Sequence, residues 1–210
     1  MWQGTWAILF QVSNPETKIF LVRFGYFFII FLPTFLYHFL IELAQKNSDR
    51  KFVIASYCVD IVFALLVFPT NLFVNGYYTY FWGAYPMAGI VHPLHVLQTT
   101  IVVSRGLYVV FIESLKTYNK PLKSQYQYCV AALLIYFVAA VDYLANYGKE
   151  FYPPGIIFIS IALSIIAYAI TKHKLLDISV VIKKATAYIL SGAVVIVSLA
   201  AGWLLTRGLP

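Results

Sequence analysis

The chain has 210 residues, 61% of them apolar and 11% charged, with a mean hydropathy of +0.80 and a formal net charge of +7. A soluble domain carries about a quarter charged residues and alternates polar with apolar positions so that each element meets water on one face. This chain does neither and reads as an integral membrane protein. The positive surplus does not point to nucleic acid, because no basic cluster is interleaved with exposed aromatic residues in a soluble module.

In chain order, Met1–Val12 is short, apolar and aromatic, with no basic leader and no small-residue cleavage site, so it reads as the remnant of a preceding helix rather than a signal peptide. Six continuous apolar runs follow, near 18–44, 52–74, 95–113, 128–146, 154–171 and 186–206. Each is long enough at 1.5 Å per residue to approach or span a hydrocarbon core of about 30 Å. Unbroken stretches of Leu, Ile, Val and Phe exclude a β-barrel, which needs segments of about ten alternating residues. The expected fold is all-α, a polytopic membrane helix bundle with about six transmembrane helices.

Basic residues fall in alternate loops: Lys46, Arg50 and Lys51; then Lys116, Lys120 and Lys123; then Lys172, Lys174, Lys183 and Lys184. The opposite loops, 75–94 and 147–153, hold only Lys149. By the positive-inside rule the lysine-bearing loops are cytoplasmic, in a multi-pass protein of the cell membrane.

A charge near the membrane centre costs at least about 2.5–3.5 kcal/mol, so the ionisable residues inside the runs are the first functional candidates. Asp60 and Arg105 fall at similar depth, which predicts a salt bridge between their helices. His38 lies below Pro33, in a helix the proline should kink, and reads as a packing histidine or a pocket residue. Asp142 sits nearer the outer surface. Arg23 reads as snorkelling to the interface, and Glu42 and Lys46 are spaced as an i,i+4 pair. His92 and His95, in HPLH at the outer edge, read as interfacial residues, with no third ligand to make a metal site. Cys58 and Cys129 read as packing residues.

The outer loop Asn75–His95 contains YYTYFWGAYP, denser in aromatics than an interfacial belt requires. Tyr80, Trp82 and Tyr85 either anchor helices at headgroup level or line an outward cleft for an apolar or lipid-like signal. At the other end, KHKLLDISVVIKK combines Lys172, Lys174, Lys183 and Lys184 with apolar positions and with Asp177, which is placed to cap a break in the helix. This basic amphipathic connector between two runs is the expected signal-transmission element.

Several blocks carry a family likeness: FLPTFLYHFLIEL at 31–43, YFWGAYPMAGIVHPLH at 80–95, KPLKSQYQYCVAALLIYFVAAVDYL at 120–144, and FYPPGIIFISIALSIIAYAITKHKLLDISVVIKK at 151–184. With these the chain resembles the N-terminal seven-helix membrane region of bacterial histidine kinases. The resemblance implies that residues 13–184 form a sensor region shortened at its N-terminus, that 185–210 add one further transmembrane helix, and that the cytoplasmic effector is absent or separate. It implies a sensory role in two-component signalling, a homodimer, and a cytoplasmic kinase as partner. Loops of at most about 20 residues leave no room for a phosphoacceptor hairpin or a nucleotide site, so no enzyme activity, cofactor or metal is expected of the chain itself. The competing reading is a small transporter or channel component lined by Asp60, Arg105 and His38; it lacks the inverted repeats or broken helices that would support it.

Overall fold

The structure is a computed structural model and describes residues 2–173. Among these the chain forms α1 (Trp2–Leu9), α2 (Pro15–Leu43), α3 (Arg50–Val67), β1 (Val74–Tyr80), β2 (Gly83–Ala88), α4 (His92–Lys116), α5 (Lys120–Val138) and α6 (Gly155–His173), with α5 continued by a 3₁₀ segment, Ala139–Tyr147. The predicted run at 186–206, and Lys174, Asp177, Lys183 and Lys184 of the connector, lie outside the described residues.

The long helices begin where the sequence supplies partners for orphan backbone N–H groups. Asn14 accepts from the Thr17 N–H at 3.1 Å, with Pro15 and Glu16 in the first turn of α2. Asn119 does the same for Leu122 at the start of α5. α2 runs through a buried Pro33 without interruption and ends at Leu43, after which the chain turns at Gln45 with φ of 51°. Four stretches are long and apolar enough to cross a membrane: Pro15–Leu43, His92–Lys116, Lys120–Tyr147 and Gly155–Lys172. α3 is shorter, at 18 residues, and carries Arg50, Lys51 and Asp60.

α2 is the central helix, and α3 and α4 meet each other much less than each meets α2. α2 packs on α1, α3 and α4; α4 leads to α5; and α5 lies along α6. α2 and α4 approach closely at Gly106, where an added Cβ would sit 2.9 Å from Leu40 and 3.2 Å from Tyr37. One core cluster gathers Trp6, Tyr26, Ile30, Phe63 and Phe73 near β1 and β2, and another gathers Leu40, Val110, Tyr126, Cys129 and Leu133 towards the lysine-bearing end. Cys129 is fully buried, whereas Cys58 is exposed on α3 and is no packing residue within this chain.

The bundle departs from pure helix at the aromatic loop, which is an antiparallel hairpin pairing Tyr78 with Tyr85 and Tyr80 with Gly83. Aromatic side chains suit a pleated strand, and Gly83, at φ of 141°, supplies backbone that an L side chain rarely adopts. A bulge at Val74/Gly76 ends the regular register.

Candidate functional site

The hairpin roofs one end of the bundle over a half-open cavity of about 230 Å³. Its walls come from α1 (Trp6), α2 (Tyr26, Ile29, Leu32), the hairpin (Trp82, Tyr85), α4 (Thr99, Val103), α5 and its 3₁₀ extension (Tyr136, Asp142, Tyr143, Asn146) and α6 (Ile156, Ile159). Exposed Phe10, Tyr152 and Ile156 form the rim. Trp82, Tyr85 and Asp142, proposed separately from sequence, thus meet at one cavity. Tyr80 stands behind them: its ring stacks on Trp82 with centroids 5.2 Å apart, and its hydroxyl donates to the Ala145 carbonyl at 2.6 Å. Burial, and then the charge of Asp142, push the Tyr85 phenol up from its ordinary pKa.

Asp142 also holds the next helix. Its Oδ1 accepts from the Gly155 N–H at 2.9 Å, satisfying an orphan donor at the start of α6. A Cβ on residue 155 would run into this carboxylate, so a larger residue would have to displace it.

Below the hairpin, His92 and His95 are both fully buried, which corrects the expectation of interfacial histidines. The hairpin and the 3₁₀ segment fold over the first turn of α4, so Phe73, Tyr143 and Tyr147 cover the two rings. Asn146 Nδ2 donates to the Tyr26 hydroxyl, which also hydrogen-bonds His92 Nε2 at 3.1 Å. On the other side of the ring, His92 Nδ1 hydrogen-bonds the Tyr147 hydroxyl at 2.8 Å. Among the described residues no group of three His, Cys, Asp or Glu side chains is placed to hold a metal.

The predicted Asp60–Arg105 bridge does not form. Asp60, fully buried, accepts from Gln98 at 2.8 Å, and Arg105 makes two bonds to Asp49, at 2.7 and 2.9 Å. α3 and α4 both pack on α2, and Gln98 precedes Arg105 by about two turns, roughly 10 Å along α4. Asp60 therefore comes level with Gln98, while Asp49, at the foot of α3, comes within the guanidinium's reach. Tyr37 adds a hydroxyl to Asp49 at 2.8 Å. The Arg105 hydrogen bonds, ahead of the cost of burial, hold the Asp49 carboxyl below its ordinary range.

Two further sequence readings change. Arg23 does not snorkel; it caps the end of α3 through the Phe68 carbonyl at 2.7 Å and Asn71 at 2.6 Å. Lys46 lies past the turn at Gln45 and reaches Glu113 on α4 at 3.1 Å, leaving Glu42 to face His38. His38 also bonds Tyr57 at 3.1 Å. None of Asp60, Arg105 and His38 lines the cavity. Lys172 is exposed in the last turn of α6.

The sequence reading missed Tyr26 and Asn146. Asn146 left a signal, as a buried polar residue at the end of an apolar run.

These helices, their length and their apolar character define a polytopic helical membrane region. The chain belongs to the family described as the N-terminal 7TM region of histidine kinase, whose model matches residues 1–179. The match takes in α1, ahead of the quoted blocks, and ends within the connector after Asp177. No curated protein and no solved structure matches the chain.

Proposed function

We propose that the chain senses a signal at the hairpin-end cavity and passes it through α6 to the connector and a cytoplasmic histidine kinase. The observation that carries this reading is the Asp142–Gly155 hydrogen bond, since a cavity-lining carboxylate also holds the first turn of the helix leading to Lys172. An occupant that draws on Asp142 alters the anchoring of α6. It shifts the helix only by its difference in affinity for two arrangements, and a tenfold difference is about 1.4 kcal/mol. The lysine distribution supports a cytoplasmic connector and an outward cavity. Residues 1–12 would complete the wall as the remnant of an earlier helix, and a homodimer would let two α6 helices act together.

The test is a fusion of residues 1–184 to a histidine kinase core with a transcriptional reporter. Trp82→Ala, Tyr85→Ala and Asp142→Asn should each change the reporter set point, while His38→Gln should not. Normal output from all three cavity variants, at normal membrane levels, would remove the reading.

A further inference from the structure

The cavity is not uniformly apolar, and its polar atoms specify an occupant. Asp142 spends Oδ1 on Gly155, and among the described residues no lysine, arginine or histidine pairs with its carboxylate. Asn146, 1% exposed, spends Nδ2 on Tyr26 and leaves Oδ1 buried without a hydrogen bond. The indole Nε1 of Trp82 is likewise a buried donor with no acceptor. A buried polar atom left without a partner is costly in a protein interior, so the meeting of Asn146 and Trp82, each with such an atom, at one cavity calls for an explanation.

The walls have a sign. Trp82 meets Tyr85 at 5.3 Å and 73° and Tyr152 at 5.8 Å and 75°, so rings stand at steep angles around the space. Aromatic faces attract cations, and a carboxylate without a counter-charge does the same. Two free acceptor oxygens call for N–H donors, which a primary ammonium has and a quaternary one lacks. The indole calls for an acceptor on the same molecule. A volume of about 230 Å³ is smaller than the pockets of roughly 300–1,000 Å³ that take drug-sized ligands.

We propose that the cavity binds a small primary amine that also bears a hydroxyl or carbonyl oxygen, with its ammonium group on Asp142 and Asn146 and its oxygen on Trp82 Nε1. This rests on the cavity being the sensory site. The occupant is a cation, unlike the apolar or lipid-like signal of the cleft that was one of the two sequence readings of the aromatic loop.

The full chain in nanodiscs of neutral lipid, at neutral pH, is titrated with ethanolamine, propylamine, 1-propanol and tetramethylammonium, and tryptophan fluorescence and the thermal midpoint are followed. Ethanolamine should bind saturably and raise the midpoint, with propylamine weaker and 1-propanol and tetramethylammonium at least tenfold weaker than ethanolamine. Asp142→Asn, which keeps an oxygen for Gly155, should weaken ethanolamine at least tenfold. Equal binding of 1-propanol, preference for tetramethylammonium, no saturable binding of either amine, or an unchanged Asp142→Asn variant each overturns the proposal. If that variant does not fold, the comparison of propylamine with 1-propanol in the wild type decides. Binding of 1-propanol alone sinks the amine and keeps the cavity as a site, whereas a reporter indifferent to cavity substitutions sinks the sensory reading itself.

Discussion

Asp142 and Gly155 are joined side chain to backbone at 2.9 Å, and the glycine's missing Cβ is what lets the carboxylate reach the first turn of α6. The cavity wall and the start of the last described helix are therefore one contact apart.

Gly155→Ala should break that contact. The methyl group would displace the carboxylate, and loss of a cap of this kind costs about 1 kcal/mol. The expected result is a lower thermal midpoint in detergent together with an altered reporter set point in the kinase fusion. An unchanged midpoint would show that α6 does not depend on the carboxylate.

Asp49→Ala should destabilise the chain by about 1–3 kcal/mol, because the buried Tyr37 hydroxyl loses its acceptor. Arg105→Gln should also destabilise the chain, because it leaves the buried Asp49 carboxylate without its counter-charge. Exchanging the charges, Asp49→Arg with Arg105→Asp, should recover part of the loss on a denaturation curve; the same exchange between Asp60 and Arg105 should recover none.

Acid should weaken the same joint. The folded-state pKa of Asp49 is depressed below its ordinary 3.8, so its contribution is fully present above that value and fades as pH falls through the depressed one. Thermal midpoints between pH 5 and pH 2 should fall more steeply for wild type than for Asp49→Asn over the acid part of that range. Parallel curves would show that the pairing does not depress the carboxyl.

Gly106→Val should force α2 and α4 apart, because even a Cβ would meet Leu40 at 2.9 Å and Tyr37 at 3.2 Å. Overpacking of this kind costs about 1–3 kcal/mol. Unfolding in denaturant reads it directly, and a loss of less than half a kcal/mol would mean that the helices can separate freely.

The helices were legible because lipid demands continuous apolar runs, and the runs near 18–44, 95–113 and 154–171 fall within or beside α2, α4 and α6. The hairpin was not, because an aromatic-rich strand pair and an interfacial belt use the same residue types, and only Gly83 distinguishes the turn. Depth along a helix misplaced Arg105's partner: spacing gives height within a span, but not how far the connection before α3 tucks back to bring Asp49 against α4. His92 and His95 misled for a related reason, since a polar residue at a helix end looks interfacial until another segment covers it. Trp82, Tyr85 and Asp142 were each singled out separately from sequence, but their convergence at one cavity depends on the 3₁₀ segment after α5, which no periodicity announced.

Tyr80 bonds to the Ala145 carbonyl, and the Phe81 N–H donates to Glu150 at 3.3 Å, so the hairpin is clasped to the corner between α5 and α6. A clasp across such a distance in sequence ties that corner to the hairpin. Tilting of α6 about it would displace the far end of the helix most, as a lever magnifies a small push near its fulcrum.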